Sequence, residues 1–438
     1  MKRRLRSLDG SYSCEADVFE PDRYRQLLSL GAEVKMAVQG GGISLTAASF
    51  GGGARVINMR RFNRLLGFDP ERGTVEAEAG ITLGRLSAFL VKRGFTVPVQ
   101  PAHPQITLGG CIAANVHGKN PYRDGLFGGL VERLRLFHPA HGELMLSREQ
   151  NGDLFDLTCG GYGLTGMIVS ARIRIAPLGG NCCEVTHIRV ADLADTFARL
   201  DELKESHDLL YSWNDLARFD RHMGRGYVVA GTFVDREPAP AGPRRLPRLD
   251  PHRGSVARLS LINPVTLPAL TALYYRASRG AGPRILDLTR ALFPAVERTF
   301  YFSAYGRAGF IEHQILVPDS RRLDYLGEFE ALVRRHRQPI GLASLKLLQG
   351  RQRLLHFDGS GVSFCLHLPN RPGPRALLEE LDALNSQYGV ITNLIKDSRL
   401  SAVTARHQYP EFDRFVGRLG AFDPGRLFVS ALSERMAI

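Results

Sequence analysis

The chain has 438 residues, 44% apolar and 23% charged, a soluble globular balance with enough material for more than one core. No apolar run is long enough to span a bilayer, and the six cysteines (Cys14, Cys111, Cys159, Cys182, Cys183 and Cys365) lack both C-x-x-C spacing and histidine partners, so a membrane-spanning protein and a metal site are set aside. A net charge of +13, carried mainly by arginine, leaves nucleic acid, an anionic membrane surface or a phosphorylated substrate as partners, and no zinc-finger spacing, aromatic-rich basic strand or long basic run supports nucleic acid. A basic start at residues 1–6 is followed by Ser7, Leu8, Asp9 and Gly10, not by the apolar stretch of a signal peptide, so a cytoplasmic protein is expected.

Residues 33–39 read as a strand entering the glycine turn Gly40-Gly41-Gly42, and 54–59 as a second strand. Residues 74–79 alternate and form a third. Thr82 can cap a helix running to about Arg93, with Leu83, Leu86 and Leu90 on one face. Residues 95–99 return to extended structure. Residues 105–120 follow, with the paired Gly109 and Gly110, then Ala113, Ala114 and Gly118 around His117: a slim backbone suited to a flat, phosphate-bearing ligand. Residues 131–137 and 142–146 make a hairpin, 153–157 one helical turn, and 167–176 a strand after the glycines of 160–166. Composition shifts near Gly179. Residues 186–235 mix helix and strand, and 235–254, rich in Pro and Arg, is expected to be a flexible loop. Helices are expected at 265–278, 285–297 and 375–387, strands at 310–317, 343–348 and 362–368, and a helical tail at 410–438.

The glycine clusters exclude two nucleotide sites. Gly40-Gly41-Gly42 is followed by more glycine and then a strand, not by the helix of a Rossmann turn, and no G-K-[ST] marks a P-loop. Three glycine-rich loops far apart in sequence (Gly40–Gly42, Gly109–Gly110 and Gly160–Gly166) would suit one long, extended cofactor.

These motifs resemble the FAD domain of the vanillyl-alcohol-oxidase (PCMH) type: Val-Ile-Asn-Met (56–59), Val-Glu-Ala-Glu-Ala-Gly-Ile-Thr-Leu (75–83), Thr-Leu-Gly-Gly-Cys-Ile-Ala-Ala-Asn-Val-His-Gly-Lys-Asn (107–120) and Cys-Gly-Gly-Tyr-Gly-Leu-Thr-Gly (159–166). Residues 211–215, 222–226, 310–314, 344–347, 364–365 and 396–399 are similar to substrate-domain motifs of its decaprenylphosphoryl-β-D-ribose 2-oxidase branch. The resemblance implies an α+β fold: a two-part FAD-binding domain over 1–178, an α+β substrate domain with an antiparallel sheet over 179–390, and a C-terminal segment, 391–438, returning to the FAD domain. It implies FAD as cofactor and oxidation of a secondary sugar alcohol, on a polyprenyl-phosphate-linked pentose or on a soluble alditol or aldonolactone; a silent flavin-binding protein is the remaining alternative. A short-chain reductase would complete an epimerisation to arabinose, and a lipid-linked sugar phosphate would bring a cationic protein to an anionic membrane face.

Carried over by position, Gly40, Gly41, Gly42, Ile43 and Ser44 would hold the FAD pyrophosphate. Ala102, Thr107, Leu108, Gly109 and Gly110 would line the flavin and its diphosphate linkage, and Ala114, Asn115, Val116 and His117 would run along the cofactor. Ile168 would meet the adenine end, and Asn393 the flavin. Glu312, Gln314, Lys346, Cys365 and Lys396 would line the substrate pocket. Lys396, following two apolar residues, is the first choice for stabilising a developing alkoxide, either through a lowered pKa or by aiming its charge at a substrate oxygen, and His117 the second; an ion pair of Lys396 with Asp397 is the plain alternative. Lys346 points away from Leu345 and Leu347, either to the pocket or to solvent. Glu312 is a general base, a hydroxyl partner or a solvent-facing residue. Three departures stand out: the family's tyrosines are Leu45 and Asn393 here, and a glutamine is Glu312.

Overall fold

The computed structural model describes residues 1–242, 260–277, 282–294 and 299–438. Its architecture is α+β. A mixed sheet pairs Lys2–Arg6 with Ser13–Phe19, then Arg55–Asn58, then Met36–Gln39, the last two pairings parallel. An antiparallel sheet follows, ordered Leu65–Asp69, Thr74–Glu78, Met167–Arg174, Val131–His138 and Gly142–Ser147. Alternation puts Val75, Ala77, Leu134, Leu136, Ala171 and Ile173 on one face, against Leu83, Leu86 and Leu90 of the helix Leu83–Val91. Thr82 caps that helix by accepting the N–H of Arg85, a contact worth about 1 kcal/mol.

Two further antiparallel sheets stand beyond residue 180. One runs Leu209–Asn214, Gly226–Val234, Cys182–Val190 and Arg284–Asp287; the other runs Leu342–Leu348, Gly361–Pro369, Phe310–Pro318 and Ile391–Thr392. Ser212 Oγ accepts the N–H of Leu345 at 2.9 Å and ties their edges together. The helices Leu193–Leu203, Arg322–His336 and Pro372–Tyr388 cover the outer face and leave the inner face free. The chain end then returns: Met36 donates to Leu427 O, and Val429 to Met36 O, extending the first sheet.

Several expected elements differ. The arginine-rich start is a hairpin whose inward residues are Leu5, Ala16 and Val18. Residues 285–297 do not form one helix: Arg284–Asp287 is a strand and Leu288–Leu292 a short helix capped by Asp287, while 295–297 lie outside the described residues. The helix expected at 265–278 spans Leu267–Ala277, and the tail is helical only over Phe412–Phe422 and Ala431–Arg435. Most of the loop 235–254 lies outside the described residues, from 243 onward. No helix among the described residues is long and apolar enough to cross a membrane. All six cysteines carry free thiols.

Candidate active site

A cavity of about 920 Å³ runs between the two pairs of sheets. One wall is the turn Gly40–Leu45, with Ala102, Thr107, Gly109, Gly110, Ala113–His117, Tyr162, Gly163 and Ile168. Residues 105–113 determine how closely this wall packs. Thr107 caps the short helix Leu108–Ala113, so Gly109 and Gly110 are helical rather than part of a loop. Gly109 is small because Ala79 is against it, with an added Cβ only 3.0 Å from the Ala79 Cβ. Gly41 is glycine because a Cβ would come within 2.4 Å of Gln105 O. Leu108 does not line the cavity; its side chain is fully buried in the core beneath. The other residues expected to line the cofactor or the substrate do face the cavity.

The run His117–Asn120 joins this wall to the opposite one. His117 Nε2 lies 2.8 Å from Gln314 Nε2, and its Nδ1 lies 3.2 Å from Gly118 O. An amide nitrogen only donates, so Nε2 accepts and Nδ1 carries the proton. Gly118 O also accepts from Lys346 Nζ at 2.8 Å. Lys119 is buried and donates to Gln100 O at 2.8 Å, Pro101 O at 3.0 Å and Leu292 O. Asn120 Nδ2 reaches Lys204 O and His207 O, both at 2.8 Å. Every residue of the run therefore bonds to the segment beyond residue 180. Burial, with Lys346 nearby, brings the His117 pKa down to about 3, so the ring is neutral with both nitrogens committed. That leaves His117 orienting Gln314, not stabilising an alkoxide as a cation. Gln314 is held further by Ser363 and by Asn393, whose Nδ2 meets its Oε1 at 2.9 Å.

The second wall is polar at its floor. Glu312 stands opposite His367 in the antiparallel register, and Gln314 opposite Cys365. Glu312 Oε1 bonds Lys396 Nζ at 2.9 Å, and Oε2 meets His367 Nε2 at 3.1 Å. Cys365 Sγ lies 3.4 Å from Glu312 Oε1. Burial alone would raise the Glu312 pKa, but the Lys396 ammonium and the hydrogen bonds from His367 and Lys396 hold it well below the usual carboxylate range. Burial opposes the charge on Lys396, yet the Glu312 carboxylate raises its pKa. Of the readings the sequence left open, the lowered pKa and the plain alternative of an ion pair with Asp397 are both overturned: Lys396 pairs with Glu312, and its pKa moves up. Asp397 binds His313 at 2.8 Å and Arg399 at 3.0 Å instead. Lys346 faces the cavity, where burial brings its pKa down to about 8. Burial, then Glu312, pushes the Cys365 thiol well up, so it is protonated. Glu312, Cys365 and His367 present donor atoms within 4.8 Å of one another. The ammonium on the same carboxylate and the protonated thiol make this a hydrogen-bond network rather than a metal donor set.

A model described as FAD binding domain matches residues 29–146. An uncharacterized protein of Streptomyces coelicolor is 30% identical over 378 residues, covering 82% of this chain and 100% of its own length. A decaprenylphosphoryl-beta-D-ribose oxidase of Mycolicibacterium smegmatis is 29% identical over 410 residues, 88% of this chain and 86% of its own. The chain belongs to the vanillyl-alcohol-oxidase-type FAD-binding oxidoreductases. An L-gulonolactone oxidase of Mus musculus is 28% identical over only 173 residues, 38% of this chain and 39% of its own.

As a member of that family the protein is an FAD-dependent oxidoreductase, and the cavity's chemistry fits the cofactor. Among the described residues no protein acceptor takes the N–H of Gly41, Gly42, Ile43, Ser44 or Leu45, all on the cavity wall. Gln39 Nε2, Ser49 Oγ and His103 Nε2 are buried without partners on the same wall. Such groups need an acceptor or donor from a ligand, and a diphosphate and a purine or isoalloxazine edge supply both. By contrast, Gly109 N–H is committed to Ala79 O and Gly110 N–H to Thr107 Oγ1, so the paired glycines offer a close surface rather than donors. Sequence reasoning missed His367, Tyr301 and Tyr274, whereas Trp213 belongs to the motif 211–215 already singled out. The alternation of 362–368, which puts His367 on the face of Cys365, was the available signal for the first.

Proposed function

We propose that this enzyme oxidises a secondary hydroxyl of a polyprenyl-phosphate-linked pentose, converting ribose C2 to the ketone as the first half of an epimerisation to arabinose. The observation that carries this reading is the lining of the cavity. It combines the polar Glu312, Lys346, Cys365 and Lys396 at its floor with an apolar and aromatic set, Trp213, Tyr274, Leu261, Leu270 and Phe302, which we take as a second arm. A sugar suits the floor and an isoprenoid the arm. The similarity to the decaprenylphosphoryl-beta-D-ribose oxidase covers this half as well as the FAD half, whereas the lactone oxidase matches over little more than a third of the chain. When bound, FAD supplies the hydride acceptor. The chain's own part is to exclude water, to hold the sugar between Lys346 and Lys396, and to steady the departing hydroxyl proton. Leu45, where the family has tyrosine, is buried against Ile262, Leu267 and Phe310 and extends the apolar arm.

In this reading Gly40–Ser44, Ala102, Thr107, Gly109, Gly110, Ala114–His117, Ile168 and Asn393 contact FAD. Glu312, Gln314, Lys346, Cys365 and Lys396 contact the sugar. A separate reductase takes the keto-sugar onward, and the net charge of +13 favours peripheral contact with an anionic cytoplasmic membrane face. The test is anaerobic reduction of the purified holoprotein. Bleaching of the flavin absorbance by a polyprenylphosphoryl ribose, and not by alditols or aldonolactones, is expected. Bleaching by the soluble sugars alone would replace this substrate class with theirs, and bleaching by neither would leave a silent flavin-binding protein.

A further inference from the structure

The described residues contain one hydroxyl–imidazole–carboxylate chain that the family resemblance did not point to. Tyr301, in the short helix Thr299–Ser303, places its hydroxyl 3.1 Å from His367 Nδ1. His367 Nε2 lies 3.1 Å from Glu312 Oε2, and Glu312 Oε1 is held by Lys396 at 2.9 Å. Tyr301, Glu312 and His367 all line the cavity, and both Glu312 and His367 are buried. Behind Tyr301, the Tyr305 hydroxyl bonds to its oxygen, and the rings of Phe310 and Tyr301 pack on His367 at 5.2 and 5.6 Å.

Resting on the alcohol-oxidation reading, we propose that Tyr301, His367 and Glu312 form the relay that accepts the proton of the oxidised hydroxyl. A carboxylate only accepts, so a neutral His367 carries its proton on Nε2 toward Glu312 and keeps a lone pair on Nδ1. The Tyr301 hydroxyl then donates to that lone pair. A substrate hydroxyl bonded to the Tyr301 oxygen gives up its O–H proton to it while Tyr301 passes its own proton to Nδ1. The C–O bond becomes C=O, the C–H hydrogen leaves with its electron pair as hydride to FAD, and the new imidazolium is held by the Glu312 carboxylate. Lys396 fixes the carboxylate's other oxygen and so sets the imidazole's orientation, which makes it a positioning residue. The neighbouring titratable groups are poorer acceptors. Both nitrogens of His117 are bonded, Lys396 is an ammonium on Glu312, and Lys346 donates to Gly118 O. Cys365, facing the same carboxylate, is itself a proton donor.

Two measurements on the holoenzyme test this. In stopped-flow anaerobic reduction, Tyr301→Phe and His367→Ala slow flavin reduction by about 10²- to 10⁴-fold, with substrate Kd changed only a few-fold. Free imidazole restores part of the rate to His367→Ala and none to Tyr301→Phe. A Tyr301→Phe rate within threefold of the parent protein overturns the relay. Independently of turnover, ¹⁵N NMR of histidine-labelled holoenzyme, with His367 assigned by its absence from His367→Ala, reads the resting tautomer. A protonated Nε2 with a bare Nδ1 is expected. A neutral ring protonated on Nδ1 overturns the proposal even if no sugar reduces the flavin, whereas the expected tautomer in a protein that no sugar reduces would condemn the substrate reading and leave the relay geometry standing.

Discussion

Replacing Lys346 with methionine should stabilise the protein at pH 7 and lose that advantage in alkali. The Lys346 ammonium projects into the cavity, donating to Gly118 O at 2.8 Å. Burial, with Lys396 nearby, brings its pKa to about 8, against 10.5 for an exposed lysine. The unfolded chain therefore holds this proton more tightly than the folded one. Stability rises with pH between about 8 and 10.5, and the full penalty applies below pH 8. At roughly 1.4 kcal/mol per pH unit the penalty is about 3 kcal/mol. Methionine keeps the stem and removes the charge but gives up the bond to Gly118, worth about 1 kcal/mol. The net expectation is a gain of about 2 kcal/mol at pH 7, turning to a loss of about 1 kcal/mol near pH 10.5. Urea unfolding of FAD-saturated protein and variant at pH 7 and near pH 10 measures the difference, in which the other lysines cancel. A difference that is the same at both pH values would refute the argument that this ammonium is desolvated, and so would a variant less stable at pH 7.

Two other expectations follow from the packing. Gly41→Ala puts a Cβ 2.4 Å from Gln105 O, a backbone atom that cannot swing away, so the turn must shift and its free N–H groups lose their aim. The purified variant should hold a small fraction of the usual FAD by absorbance ratio, while Gly129→Ala, where an added Cβ meets nothing within 4 Å, should keep its full content. Asn120→Ala deprives the carbonyls of Lys204 and His207 of a shared donor in a part-buried place, costing about 2–3 kcal/mol. Thermal unfolding should show that loss, and an unchanged melting temperature would remove the bonds from the account of how the two walls are held.

Much of the fold is legible in the residues because its signals are local. Thr82 followed by leucines at helical spacing is a capped helix, and the alternation of 74–79 and 362–368 is that of strands, although both faces of each are largely buried. The N-terminal hairpin is not legible, since arginines on its exposed face crowd out the apolar pattern of Leu5, Ala16 and Val18. Local pattern also fails at Gly109 and Gly110. Paired glycines suggest a loop, yet Thr107 caps a helix through them and the side chain of Ala79 sets their size. In the site, which residues meet the cavity follows from strand parity, but which charges pair does not. Lys396 has Asp397 beside it in sequence, and it is the register of Phe310–Pro318 against Gly361–Pro369 and Ile391–Thr392 that presents Glu312 to it instead.

The same distinction explains the His-Gly-Lys-Asn run. Read along the chain it looks like the end of a cofactor surface, because slim residues precede it. In three dimensions each of its members bonds to the segment beyond residue 180: His117 to Gln314, Gly118 to Lys346, Lys119 to Leu292 and Asn120 to Lys204 and His207. Among the described residues the Lys119 ammonium has no carboxylate partner, only three carbonyls, and burial lowers its pKa well below that of an exposed lysine. A group that costly to bury is retained where its bonds hold something in place. What they hold here is the chain just after His117 and Gly118, whose bonds to Gln314 and Lys346 span from the wall that could carry FAD to the floor that carries Glu312, Lys346 and Lys396. Hydride transfer is sensitive to the spacing of wall and floor on the scale of an ångström, so a seam built from short, nearly fully bonded side chains is a physical reason for the run to lie between the two walls.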